Sequence, residues 1–108
     1  MCPFTYITDI HLLVASHIKP WTVSDEKENV DPYNGYMLSP LYDRLFDKGY
    51  ITFTDDQRIL ISNRISQENW DKMKKYCGLD TDKRYPLLLM DDKRKSYLEY
   101  HRNYVFRG

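Results

Sequence analysis

His17, Asn34 and Asp43 are the residues whose types and order carry the most chemistry in this chain. Histidine is the side chain best matched to taking a proton from water near neutrality. An asparagine amide both donates and accepts, so it can hold a loop or orient a histidine. A carboxylate is a ligand for a hard divalent cation such as Mg2+. Hydrolysis of a phosphodiester asks for such a set: a base for the water, neutralisation of developing charge, and support for the leaving oxygen. An ion that keeps several waters needs only one or two protein ligands, and Asp43 can supply one. Each residue also has a plainer reading. His17, at the end of an apolar run, suits a buried, satisfied histidine. Asn34 before Gly35 suits a turn, and Asp43 suits a solvated helix face.

The elements that must position these side chains follow from local pattern. Leu12-Leu13-Val14-Ala15 reads as a strand that delivers Ser16 and His17 into a loop. Pro20 stops regular hydrogen bonding just beyond, and Trp21 reads as a packing anchor for that loop. Thr22 to Asp31 is polar and charged, and predicts a surface loop. Asn34-Gly35 predicts a tight turn at positive φ, and Tyr36-Met37-Leu38 a returning strand. Ser39-Pro40 is a helix start, with serine as N-cap and proline at the first helical position. Leu41, Leu45 and Phe46 fall on one helical face, Asp43 and Asp47 on another, and Gly49 ends the helix. Tyr50 to Phe53 and Ile59 to Ser62 then predict a β-hairpin. A helix follows from Ser66 to about Tyr76, with Gly78 past its end. Tyr85 to Met90 reads as extended, and Asp91 to Phe106 as a final charged helix. His101 is expected in a capping or core role there, and His11 as structural or exposed. The fold class predicted is α+β.

The order strand, loop, strand, helix coincides with a wider resemblance. Ala15-Ser16-His17-Ile18-Lys19-Pro20-Trp21, then Asp31-Pro32-Tyr33-Asn34-Gly35, then Ser39 through Phe53, resembles the HNH endonuclease family. The likeness is closest to the branch found in bacterial restriction-type and defence proteins. It covers His11 to Phe53 and continues loosely to Leu98-Glu99-Tyr100-His101-Arg102. It implies a ββα-metal (His-Me finger) core, with the hairpin and C-terminal helices added. It implies His17 as general base, Asn34 as the residue that orients the base and braces the loop, and Asp43 as metal ligand. Two departures stand out. The helix position is usually histidine or asparagine; aspartate there remains a good ligand for Mg2+ or Mn2+, with Ni2+ a further choice. Many members carry an acidic ligand just before the first histidine, where this chain has Ser16, a weak ligand. Asp47, one turn from Asp43, is the substitute this implies. Lys19 and Arg44 flank the site as candidate contacts to DNA phosphates.

Composition bounds the rest. At 108 residues the chain predicts a single HNH domain over 1–108, and its abrupt apolar start reads as the C-terminal part of a longer protein with an upstream domain. Sixteen basic and sixteen acidic residues cancel, so nucleic-acid binding must rest on a local basic face. The ten tyrosines read as core and half-buried surface aromatics. Cys2 and Cys77 lie far apart with no paired metal spacing, so no structural zinc site is expected. With no leader-like or membrane-spanning apolar run, the chain reads as cytoplasmic, with reduced thiols and no membrane partner.

Two readings compete. One is a metal-dependent DNA endonuclease, with cutting of both strands requiring two sites and hence a homodimer or a second visit. The other is a weakened HNH module that binds nucleic acid or a partner without cutting, favoured by Ser16 and the zero net charge. An interaction domain built on tyrosine-rich surfaces leaves the ordered motif unexplained.

Overall fold

The structure is a computed structural model that describes residues 1–108. Two antiparallel strands, β1 (Val14–His17) and β2 (Gly35–Leu38), pair in the register Val14↔Leu38 and His17↔Gly35. Between them lie a single 3₁₀ turn at Trp21–Val23 and the short helix α1 (Glu26–Val30). Helix α2 (Pro40–Asp47) follows β2 and packs against β1, so strand, strand and helix form a ββα unit. Strands β3 (Ile51–Phe53) and β4 (Ile59–Ile61) make a second antiparallel pair. Helices α3 (Gln67–Cys77) and α4 (Asp92–Tyr100) complete the chain, and α4 runs on into a π-helical turn, His101–Val105. The architecture is α+β with a ββα core, and no helix is long and apolar enough to cross a membrane.

Local rules account for most boundaries. Pro40 opens α2, while Ser39 points elsewhere: its hydroxyl bonds Thr5 Oγ1 at 2.6 Å instead of capping the helix. Ser66 caps α3 through Asn69 N, and Gly78 ends it in the left-handed region at φ 68°. Gly49 ends α2 at φ 75°, and the Val105 carbonyl closes on it so tightly that a Cβ would collide with backbone. Gly49→Ala is therefore expected to cost about 3 kcal/mol, combining left-handed strain with a clash that no rotamer relieves. Chemical denaturation of the variant measures it.

The core lies where α2, the β3–β4 pair and the end of α4 meet. Phe46 stacks on Phe53 at 4.5 Å on one side and on the His101 ring at 3.9 Å on the other. His101 is buried, with Nε2–H donating to the Phe46 carbonyl at 2.8 Å and Nδ1 facing Thr52 Oγ1 at 2.8 Å. Arg102 ties the same helix to β3 through the Phe53 carbonyl at 2.8 Å.

Four local expectations are corrected. The segment Thr22 to Asp31 is not all loop, because Asp25 and Glu28 form a reciprocal capping box that starts α1. Asn34 and Gly35 do not take positive φ; Gly35 is the first residue of β2. Glycine is suited there because a Cβ would sit 3.1 Å from the Ser16 carbonyl. On α2, Tyr42 joins Leu45 and Phe46 on the buried face while Leu41 is exposed. Tyr85 to Met90, expected to be extended, is interrupted by a turn in which Leu88 N donates to the Tyr85 carbonyl at 3.0 Å.

Candidate active site

The period-two alternation of the hairpin sets the site. Ser16 and its partner Tyr36 are buried on the core side, so His17 and its partner Gly35 fall on the opposite face. His17, the last residue of β1, is half-buried. Its Nε2 lies 3.1 Å from the Asn29 carbonyl oxygen at the end of α1. A carbonyl only accepts, so Nε2 carries the hydrogen and the neutral ring keeps its lone pair on Nδ1. The loop thereby fixes the tautomer that a base requires. The ring also meets the edge of Trp21 at 5.5 Å and 87°. Trp21, expected as a packing anchor for the loop, is 61% exposed and packs against one flank of His17.

Asn34 is buried and spans the loop. Its Oδ1 accepts from Lys19 N at 2.8 Å and its Nδ2 donates to the Glu28 carbonyl at 3.1 Å. It does not touch the His17 ring. It instead fixes the residue next to Asn29, whose carbonyl holds that ring. Glu28 adds a second tie, with both carboxylate oxygens on Lys19 Nζ at 2.8 and 3.0 Å. That bond holds Glu28 below the usual carboxylate range and raises the Lys19 ammonium. Lys19 therefore serves the loop in this structure, and a contact from it to phosphate requires that bridge to open.

His17, Ser16, Asn29, Asn34, Leu89 and Arg94 are among the residues lining one cleft of about 460 Å³. Sequence reasoning missed Arg94 and Asn29. Asn29 acts through its main-chain carbonyl, which no residue type announces, although the Asp25–Glu28 spacing does mark the helix that carries it. Asp43 lies in the first turn of α2 and is half-buried without an ion-pair partner; Asp47 and Arg44 are exposed on the same helix. None of these three lines the His17 cleft.

A histidine held by a loop carbonyl at the end of a β-hairpin, with a helix packed behind it, defines a ββα finger of the nuclease type. Residues 2–54 match the model of the HNH endonuclease family, a span from before β1 to just past β3, and over it the chain belongs to that family. No curated protein matches the chain. Membership supports nuclease-type activity and nucleic-acid binding in general, and the family's members generally use divalent metal ions.

The donor set bears on such an ion. No group of three His, Cys, Asp or Glu side chains is placed to hold a metal, so a closed cage of the zinc kind does not fit. A hydrated Mg2+-like ion fits better, because it asks for one or two carboxylates and completes its shell with water and phosphate oxygens. Asp43, unpaired and at a helix start, has the required chemistry. Ser16 offers only a buried hydroxyl.

Proposed function

We propose that this chain is a metal-dependent DNA endonuclease domain with His17 as its general base. The single observation carrying this reading is the Nε2–Asn29 hydrogen bond, which leaves Nδ1 as the acceptor. Nδ1 takes a proton from water as the water oxygen bonds phosphorus. The bond from phosphorus to the 3′-oxygen breaks, and that oxygen is protonated from solvent. Asn34 keeps the loop, and with it the base, in place. Asp43 would hold the divalent ion, Mg2+ or otherwise Mn2+ or Ni2+, with Asp47 as a second carboxylate and Ser16 at most a weak ligand. Bound there, the ion supplies charge neutralisation at the phosphate and the leaving oxygen. Arg44, exposed and unpaired, is the more available of the two proposed phosphate contacts, Lys19 being held by Glu28.

The setting proposed for this activity is a cytoplasmic protein of the bacterial restriction or defence type, in which an upstream domain supplies sequence recognition. One site cuts one strand, so cutting both requires a homodimer or a second visit. The test of the metal assignment is cleavage measured against Mg2+ concentration. Asp43→Ala is expected to lower the rate at limiting Mg2+ by about 10-fold or more, because one of few protein ligands is gone. An unchanged Mg2+ dependence would remove Asp43 from the site.

A weakened module is the second reading, favoured by Ser16 and by the absence of Asp43 from the His17 cleft. It predicts salt-sensitive DNA binding with no cleavage in any metal.

A further inference from the structure

The loop that holds His17 is itself held from outside the family-matched span. Arg94, on α4, is only 13% exposed, and its guanidinium carries an ion pair to Asp91 at 2.6 Å. The same group reaches the Gly35 carbonyl at 3.4 Å and the Pro32 carbonyl at 3.5 Å. Gly35 is the residue paired with His17 across the hairpin. The rings of Tyr33 and Tyr36 lie 5.2 and 5.4 Å from the guanidinium carbon. One turn along α4, the Tyr97 hydroxyl donates to Asp31 Oδ2 at 2.7 Å. Asp31 in turn takes Tyr33 N at 2.9 Å through its other oxygen, and its own N–H donates to the Glu28 carbonyl at 3.3 Å. Burial and the Asp31 carboxylate push the Tyr97 hydroxyl up to about 12, so it stays a donor. A further turn on, the Tyr100 ring lies 5.1 Å beneath Lys19 Nζ.

These contacts run along one side of α4 and grip the segment from Asp31 to Gly35 directly, while Tyr100 meets Lys19, the partner of Glu28. That segment carries the β2 residue opposite His17, and Asn29, whose carbonyl holds the ring, lies just before it. We propose that α4 is a clamp on the base-bearing loop, with Arg94 and Tyr97 as positioning residues for His17. The proposal rests on the reading of His17 as the base. Its physical content is that the carbonyl anchoring Nε2 belongs to a segment whose remaining ties are backbone turns, Asn34, the Asn29–Ser24 bond and the Glu28–Lys19 pair, all from within the same loop. Releasing α4 lets the anchor drift, and the imidazole loses its single tautomer.

The test is ¹⁵N NMR of the histidine rings together with plasmid nicking in Mg2+, on the full chain, Tyr97→Phe, and Arg94→Gln combined with Tyr97→Phe. Tyr97→Phe keeps the ring and removes one hydroxyl, so it stays informative where the double variant does not fold. The parent is expected to show His17 as the Nε2–H tautomer. Tyr97→Phe is expected to admit the Nδ1–H form and to lower nicking severalfold, and the double variant to do so more strongly, at least tenfold in rate. The His101 signals should stay in place as the control for an intact core. Unchanged His17 signals in folded variants overturn the clamp. So does a rate loss with unchanged His17 signals, which would place Arg94 on the substrate instead. If the parent does not cleave DNA while its His17 tautomer still responds to these substitutions, the clamp stands and the nuclease reading falls.

Discussion

His17→Ala is expected to fold as the parent does and to cleave DNA about 10²–10⁴-fold more slowly, the range that a positioned general base contributes. The two halves of this expectation have separate grounds. The His17 side chain sits on the open face of the hairpin, where its one hydrogen bond is to Asn29 O and its one aromatic contact is the edge of Trp21. Losing that bond costs about 1 kcal/mol of stability. The catalytic loss is larger because the one carboxylate lining the cleft, Asp31, has its oxygens engaged by the Tyr97 hydroxyl and Tyr33 N. Ser16 and Asn34 are neutral there, and Arg94 is a permanent cation. Single-turnover cleavage of a duplex, with a thermal melt of the same sample, separates the two effects. A folded variant that cuts at the parental rate would remove His17 from the chemistry.

His101→Ala is expected to do the opposite: to weaken the fold by about 3–5 kcal/mol. It removes a buried ring stacked on Phe46, and strands the Thr52 hydroxyl and the Phe46 carbonyl without their partner. The same burial makes stability depend on pH. Burial pushes the imidazole down to about 4, the Arg102 charge acting the same way and the Phe46 carbonyl opposing it. The unfolded histidine titrates near pH 6.5. Between those values the unfolded chain binds a proton that the folded chain refuses. Stability from this group is therefore complete above about pH 6.5 and falls by about 3 kcal/mol as the pH drops to about 4. Urea denaturation of parent and variant at pH 7.5 and pH 4.5 checks both statements. The parent should lose stability across that interval, and the variant should lack this component of the slope.

The finger was legible because its signals are local. Ser39-Pro40 marks a helix start, Gly49 its end and Tyr36-Met37-Leu38 a returning strand, all within short windows, whereas the first strand, read as Leu12 to Ala15, runs from Val14 to His17. His17 and Asn34 were legible as a pair for the same reason, and they do line one cleft. What each of them does was less so. Asn34 before Gly35 looks like a turn, but its amide is drawn inward by the Lys19 and Glu28 backbone groups, a contact across a loop that periodicity does not register. Trp21 was legible as a packing residue of the loop, but not that its partner is the His17 ring or that it stands largely exposed there. Arg94 and Tyr97 lay hidden in a charged helix whose residue types suit solvent equally well. Only the packing of α4 across the loop brings them to Gly35 and Asp31.

The most direct measurement is nicking of supercoiled plasmid by the purified chain in Mg2+, Mn2+ and Ni2+, with His17→Ala and a chelator control in parallel. The account predicts nicked circles that require the metal and vanish in the variant. Metal-dependent nicking that persists unchanged in His17→Ala, or no cleavage by the folded parent in any of the three metals, would contradict it.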